Sequence, residues 1–240
     1  MFKVLLFFSF FVPSAVFAEA SVSTRNLKLY EIGKTDGPLL YHQKIQKQKM
    51  PDGKVSTKTV ATDPKGVVVF TETIISKGSM PLYQSNDVYQ TKRHLELEVK
   101  GDSVFLRTRG LNAENQEVPK EDKESLPENF ISGALAEDYI VEHLEELMAG
   151  ETIYAKMGIM ELREMVNFKF WKKEMTKKNG REVIEVVMKP SSIFIALIVD
   201  PIHLFIDVKD KKMVHYIGRT PLWKFVNGKI KALDAEIVFD

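Results

Sequence analysis

The densest run of groups able to do chemistry is Asp200-Pro201-Ile202-His203-Leu204-Phe205-Ile206-Asp207. In an extended chain alternate residues share a face, so His203 lies with Phe205 and Asp207. An imidazole beside a carboxylate can act as a general base or bind a metal. No G-x-S-x-G elbow supplies the nucleophile such a base would activate. The same residues also read as ordinary structure. Asp200-Pro201 is a turn dipeptide that ends the preceding element, and His203 is a strand histidine. Asp200, His203 and Asp207 are therefore the minor, polar candidate site.

The other polar groups carry weaker signals. His143 and Glu146 stand three apart, and the position four after His143 is Leu147, so the two-histidine helical zinc motif is not formed. They read as helix neighbours. Ser191 and Ser192 after Pro190 read as a helix cap. The 13 glycines form no phosphate-binding loop. Lys169–Lys178 is basic and aromatic, a pattern that could stack bases, but it reads first as a solvated strand face. Neither a metal nor a cofactor is expected.

Apolar groups are denser. Phe168, Phe170, Ile193, Phe194, Leu197, Ile198, Leu204, Phe205 and Trp223 either fill a core or wall a concave cavity. An antiparallel sheet curved around a helix leaves such a cavity where the helix does not fill it.

The elements that position these residues are mostly strands. His94–Lys100, Glu182–Met188 and His203–Val208 alternate with period two. Gly101-Asp102, Pro51-Asp52-Gly53, Asp210-Lys211 and Asn227-Gly228 are turns, the last a strong hairpin signal. One stretch has helical spacing: Leu135, Tyr139, Ile140, His143, Leu144 and Leu147 predict a long helix over about Ala134–Ala149, with Ser132 as N-cap and Gly150 as C-cap. Ser191–Val199 predicts a short apolar helix. The polar stretch at about 112–128 predicts a loop separating two halves of one β-rich domain over residues 19–240. The expected fold is mainly β (α+β): a curved antiparallel sheet or half-barrel wrapped around the two helices.

Residues 1–18 read as a secretory signal peptide cleaved after Ala18: Lys3, an apolar run from Val4 to Val12, then Val16-Phe17-Ala18. No later stretch is apolar for long enough to span a membrane. The formal charge of +1 in 240 residues resides on Lys3, so the exported chain is neutral and nucleic acid is not an expected partner. The chain has no cysteine, which excludes disulfides, thiolate zinc sites and lipid attachment at an N-terminal cysteine. An exported chain without thiols suits a bacterial periplasm.

Met188–Asp207, MKPSSIFIALIVDPIHLFID, with the hairpins after it and the Leu144–Lys173 stretch before it, resembles a group of uncharacterised bacterial exported proteins. That group is similar to the lipoprotein-carrier half-barrel. The resemblance covers the second half of the chain and implies a sheet wrapped around helices, with no catalytic residue to carry over. The function expected is a non-catalytic periplasmic binding or carrier protein for a lipid or other apolar small molecule. An envelope interaction module with a protein partner is the alternative, and a hydrolase or metalloenzyme using His203 comes after it.

Overall fold

The computed structural model describes residues 21–110, 118–192 and 200–240. The expected leader, the core of the expected 191–199 helix, and Ile193, Phe194, Leu197 and Ile198 lie outside them. The chain is mainly β. Its first half forms β1 (Val22–Tyr30), β2 (Tyr41–Lys49), β3 (Val55–Thr62), β4 (Val68–Lys77), β5 (Met80–Val88), β6 (Arg93–Lys100), β7 (Ser103–Gly110) and β8 (Lys120–Ser125). Then come β9 (Phe130–Ile131), a single 3-10 turn at Gly133–Leu135, α1 (Ala136–Glu142) and α2 (Leu144–Ala149). The return is β10 (Thr152–Ile159), β11 (Glu164–Lys178), β12 (Arg181–Pro190), β13 (Ile202–Asp207), β14 (Lys212–Val226) and β15 (Lys229–Phe239).

These strands form one open, curved 15-stranded sheet in the order β8-β7-β6-β5-β4-β3-β2-β1-β15-β14-β13-β12-β11-β10-β9. Neighbours in this order pair antiparallel, except that β9 pairs parallel to β10. β1 pairs antiparallel with β15, with Leu27 opposite Phe239 and Tyr30 opposite Glu236. The turns follow local chemistry. Asn227 (φ 52°) and Gly228 (φ 74°) both take the left-handed conformation of a two-residue hairpin.

Three expectations change. The long helix is two short ones, of 7 and 6 residues, broken at His143, whose φ of −108° and ψ of 21° leave the helical region. Ser132 precedes the 3-10 turn, but its side chain makes no capping bond. Gly150 does cap α2, with φ 92°. Within the stretch expected to be a loop, Lys120–Ser125 pairs with β7 as an exposed edge strand.

The two larger core clusters lie on the concave face, and a small third one, Val183, Phe205 and Val214, lies on the other face. Of the larger pair, one packs Tyr139, Ile140, Leu144 and Leu147 of the helices against Ile153, Phe170, Ile184, Leu204 and Ile206. The other gathers Leu27, Leu29, Phe70, Val88, Leu95, Leu97, Leu106, Leu222 and Leu233. The two ends of the sheet approach each other. Arg163, in the β10–β11 turn, donates to Asp122 of β8 at 2.6 Å. A Cβ on Gly158 of β10 would lie 3.1 Å from Leu97 Cδ1 and 3.3 Å from Leu106 Cδ2. A side chain here would have to push the Leu97 and Leu106 methyls aside, so β10 crosses close to β6 and β7. Gly158→Val should therefore destabilise the chain by about 1–3 kcal/mol through overpacking, read as a lowered urea midpoint; an unchanged midpoint would contradict the close approach.

Candidate functional site

The helix pair has two unlike sides. Its apolar stripe faces β10–β14, as the helical spacing requires. Its acidic side meets the opposite half of the sheet. Arg25 Nη1 of β1 donates to both Glu137 oxygens, at 2.8 and 2.9 Å, and the Met213 amide donates to Glu137 Oε1 at 2.7 Å. Lys47 Nζ of β2 donates to both Asp138 oxygens at 2.9 Å. Ser79, in the β4–β5 turn, donates its amide to Glu142 Oε1 at 2.9 Å and its hydroxyl to Oε2. The helices are thus tethered to β1, β2 and the β4–β5 turn by ion pairs and charge-assisted hydrogen bonds.

The concave face below those tethers is polar too. Arg25 is opposite Ile45, Ile45 opposite Thr59, Thr59 opposite Glu72, and Glu72 opposite Asn86. The adjacent row runs Lys47, Thr57, Ile74, Gln84. Thr57, Thr59, Glu72, Ser76, Gln84 and Asn86 are all buried. Gln84 Nε2 donates to Glu72 Oε1 at 2.8 Å. In the amide orientation that satisfies both its ends, Asn86 donates to Glu72 Oε1 at 3.1 Å and to the Ser85 carbonyl at 2.9 Å. Burial pushes the Glu72 carboxyl up to about 7. Hydrogen bonds from Gln84, Thr59 and Asn86 oppose that rise, and the charge of Glu161 adds to it. Among the described residues, Thr57 Oγ1 and Gln84 Oε1 are buried without a hydrogen-bond partner. The next row runs Leu27, Gln43, Ala61, Phe70 and Val88, apolar except for the half-buried Gln43.

The opposite, convex face carries a second constellation. His203, Phe205 and Asp207 point away from the helices, because Leu204 and Ile206 occupy the concave side. The partner of His203 is Glu185 on β12: its Oε1 accepts from His203 Nδ1 at 2.6 Å and from Lys173 Nζ at 3.0 Å. Burial raises the Glu185 carboxyl, but bonds and charges from His203 and Lys173 outweigh it and hold the group below its ordinary value. On the same face Glu236 meets His215 Nε2 at 2.7 Å and accepts from the Gly33 amide at 2.7 Å. Burial and the charge of Lys178 lower the His215 pKa against the pull of Glu236. A groove of about 390 Å³ runs past Lys173, Lys178, Glu185, His203, Phe205 and Ile217.

The residues singled out from sequence therefore separate. Phe168, Phe170 and Leu204 sit in the helix-facing cluster. Phe205 lies on the other side of the sheet, and Trp223 flanks the second cluster. Asp207 accepts the amides of Lys209 and Asp210 at 2.9 and 3.0 Å and so shapes its own turn; Asp200 is exposed. His143 and Glu146 are helix neighbours at 3.0 Å. Glu72 was not singled out by sequence. Its signal was its alternation with Phe70 and Ile74, which puts a carboxylate on an otherwise apolar face.

No protein-family model matches the sequence, and no curated protein does. Among solved structures, the chain is similar to a beta-barrel-like protein of domain of unknown function DUF1849 from Brucella abortus, at 6% identity and TM-score 0.41, over 92% of this chain and 94% of that one. It is also similar to a DUF1329 family protein from Desulfovibrio piger, at 10% identity and TM-score 0.28, over 94% and 85%.

The buried Glu72 carboxyl ties stability to pH. Its pKa rises on folding from 4.5 to about 7, so the folded state holds the proton more tightly. The contribution is most favourable below pH 4.5, falls as pH rises and levels off above about 7. That rise corresponds to about 3 kcal/mol. Glu72→Gln should be more stable than the parent at pH 8 by up to about 3 kcal/mol, with the gap closing near pH 4.5. Urea unfolding at both values checks this.

Proposed function

We propose that the chain is a non-catalytic binding or carrier protein, exported to the bacterial periplasm, that takes an apolar, lipid-like ligand between its curved sheet and the α1–α2 pair. The helices are its lid. One observation carries this reading: the lid is apolar toward β10–β14 and ionic toward β1, β2 and the β4–β5 turn. An ionic seam parts into water at small cost, because each charge is rehydrated; an apolar contact does not. Opening would therefore follow the seam, leave the lid on β10–β14 and uncover the apolar rows around Phe70 and Leu95. The leader pattern of residues 1–18 supports export. The commitment of Asp207 to its own turn takes it out of a site with His203.

The test is extraction of the chain recovered from the periplasm after expression from its own first residue. Mass spectrometry should find an amphiphile in near-stoichiometric amount. A protein with no extractable amphiphile that also fails to bind a fluorescent acyl probe would overturn the reading. Glu137→Gln weakens the tether to Arg25 and should speed probe exchange by about tenfold or more, the worth of one charged hydrogen bond. Stopped-flow fluorescence measures that rate.

A further inference from the structure

The buried polar patch on β3–β5 is built for something that donates hydrogen bonds. It holds one amide oxygen, Gln84 Oε1, and one hydroxyl, Thr57 Oγ1, that are buried without a partner among the described residues. Glu72 presents two carboxyl oxygens. A buried acceptor left unpaired is costly, so such groups usually meet a protein donor, water or ligand. Among the other buried carboxylates of the described residues, Glu185 has Lys173 and His203, Glu236 has His215, and Asp207 has two backbone amides with Arg181 at 3.8 Å. The partners of Glu72 are the neutral Gln84, Thr59 and Asn86. The nearby cations on the same rows are committed elsewhere, Arg25 to Glu137 and Lys47 to Asp138.

Position adds a second constraint. The patch lies on the two rows that carry the lid tethers, and on β3–β5 the next row is the apolar Ala61, Phe70 and Val88. The concave face is thus graded from polar at the seam to apolar beyond it. A ligand matching that gradient has a donor head and a hydrocarbon tail.

We propose that the patch of Glu72, Thr57 and Gln84 is the head-group site of the carrier and selects amphiphiles headed by an ammonium group. This inference rests on the carrier reading. The ammonium donates up to three hydrogen bonds and gives the Glu72 carboxylate the cation it lacks; a hydroxyl donates one, and a carboxylate head would face Glu72 as a like charge.

The probes are dodecylammonium, dodecanol and dodecanoate, each titrated calorimetrically below its micelle concentration into the full chain at pH 8. Expected is the order ammonium, alcohol, carboxylate. In Glu72→Gln, dodecylammonium affinity should fall about 10- to 100-fold, the loss of a charged hydrogen bond. Dodecanol affinity should stay within about threefold, showing that the interior is intact. At pH 6, dodecylammonium should also displace a proton from Glu72, seen as a dependence of binding heat on buffer ionisation enthalpy, and dodecanol should not. Equal affinity for dodecanoate and dodecylammonium, or no loss of ammonium binding in Glu72→Gln, would overturn the head-group site while dodecanol binding left the carrier reading standing. Failure of all three probes to bind would overturn both.

Discussion

The pairing of β1 with β15 is the constraint on which the rest of the structure depends. It joins the two ends of the chain edge to edge and turns two runs of hairpins into one sheet. Side contacts reinforce it: Gly33 donates to Glu236, the Asp240 amide donates to the Asn26 carbonyl, and the Arg25 guanidinium lies 4.5 Å from the Phe239 ring centre. Each half is otherwise local, since neighbouring strands are neighbours in sequence. The β1–β15 ladder is the long-range step. Its loop-closure entropy must be met before the lid can find Arg25 and Lys47 across the concave face.

Once the sheet is continuous, its concave face has two masters. Opposite α1 and α2 it is apolar, and burial of Ile140, Leu147, Phe170 and Ile184 holds the helices there. Toward β1–β5 the same helices offer carboxylates, and the sheet answers with Arg25, Lys47 and Ser79. Buried charge is tolerated in this chain where a partner is built beside it. Glu185 and Glu236 on the convex face follow that rule, each with an imidazole within 2.7 Å. Glu72 has only neutral donors beside it, and they oppose without cancelling the rise that burial causes.

Much of the fold was legible because it is made of hairpins. Period-two alternation and turn dipeptides such as Asn227-Gly228 and Pro51-Asp52-Gly53 are local signals, and the strands they predict are present. The helix break at His143 was not legible, because the apolar spacing runs through it without interruption; at the break the His143 ring packs on Tyr139, with centroids 4.5 Å apart. The site was less legible than the fold. The partner of His203 is set by the β12–β13 register, which aligns Val187 with His203 and Glu185 with Phe205, so the nearest acids in sequence, Asp200 and Asp207, are not the ones that meet it. Tethers such as Lys47–Asp138 depend on the sheet's curvature, which no local pattern encodes.

That curvature also decides where the molecule can give. The lid follows β9 and leads directly into β10, so its covalent attachments belong to the second half, while its ionic tethers belong to the first. Parting the seam breaks no strand pairing. Parting the lid from β10–β14 instead would expose Tyr139, Ile140, Leu144 and Leu147, each buried against that half. The ionic contacts between the helices and the sheet thus lie on the side of the polar patch. An amphiphile entering there would meet Lys47 and Ser79 first, Glu72 next and the Phe70 row last. Polar head and apolar tail would then be sorted by the same gradient that makes the seam separable.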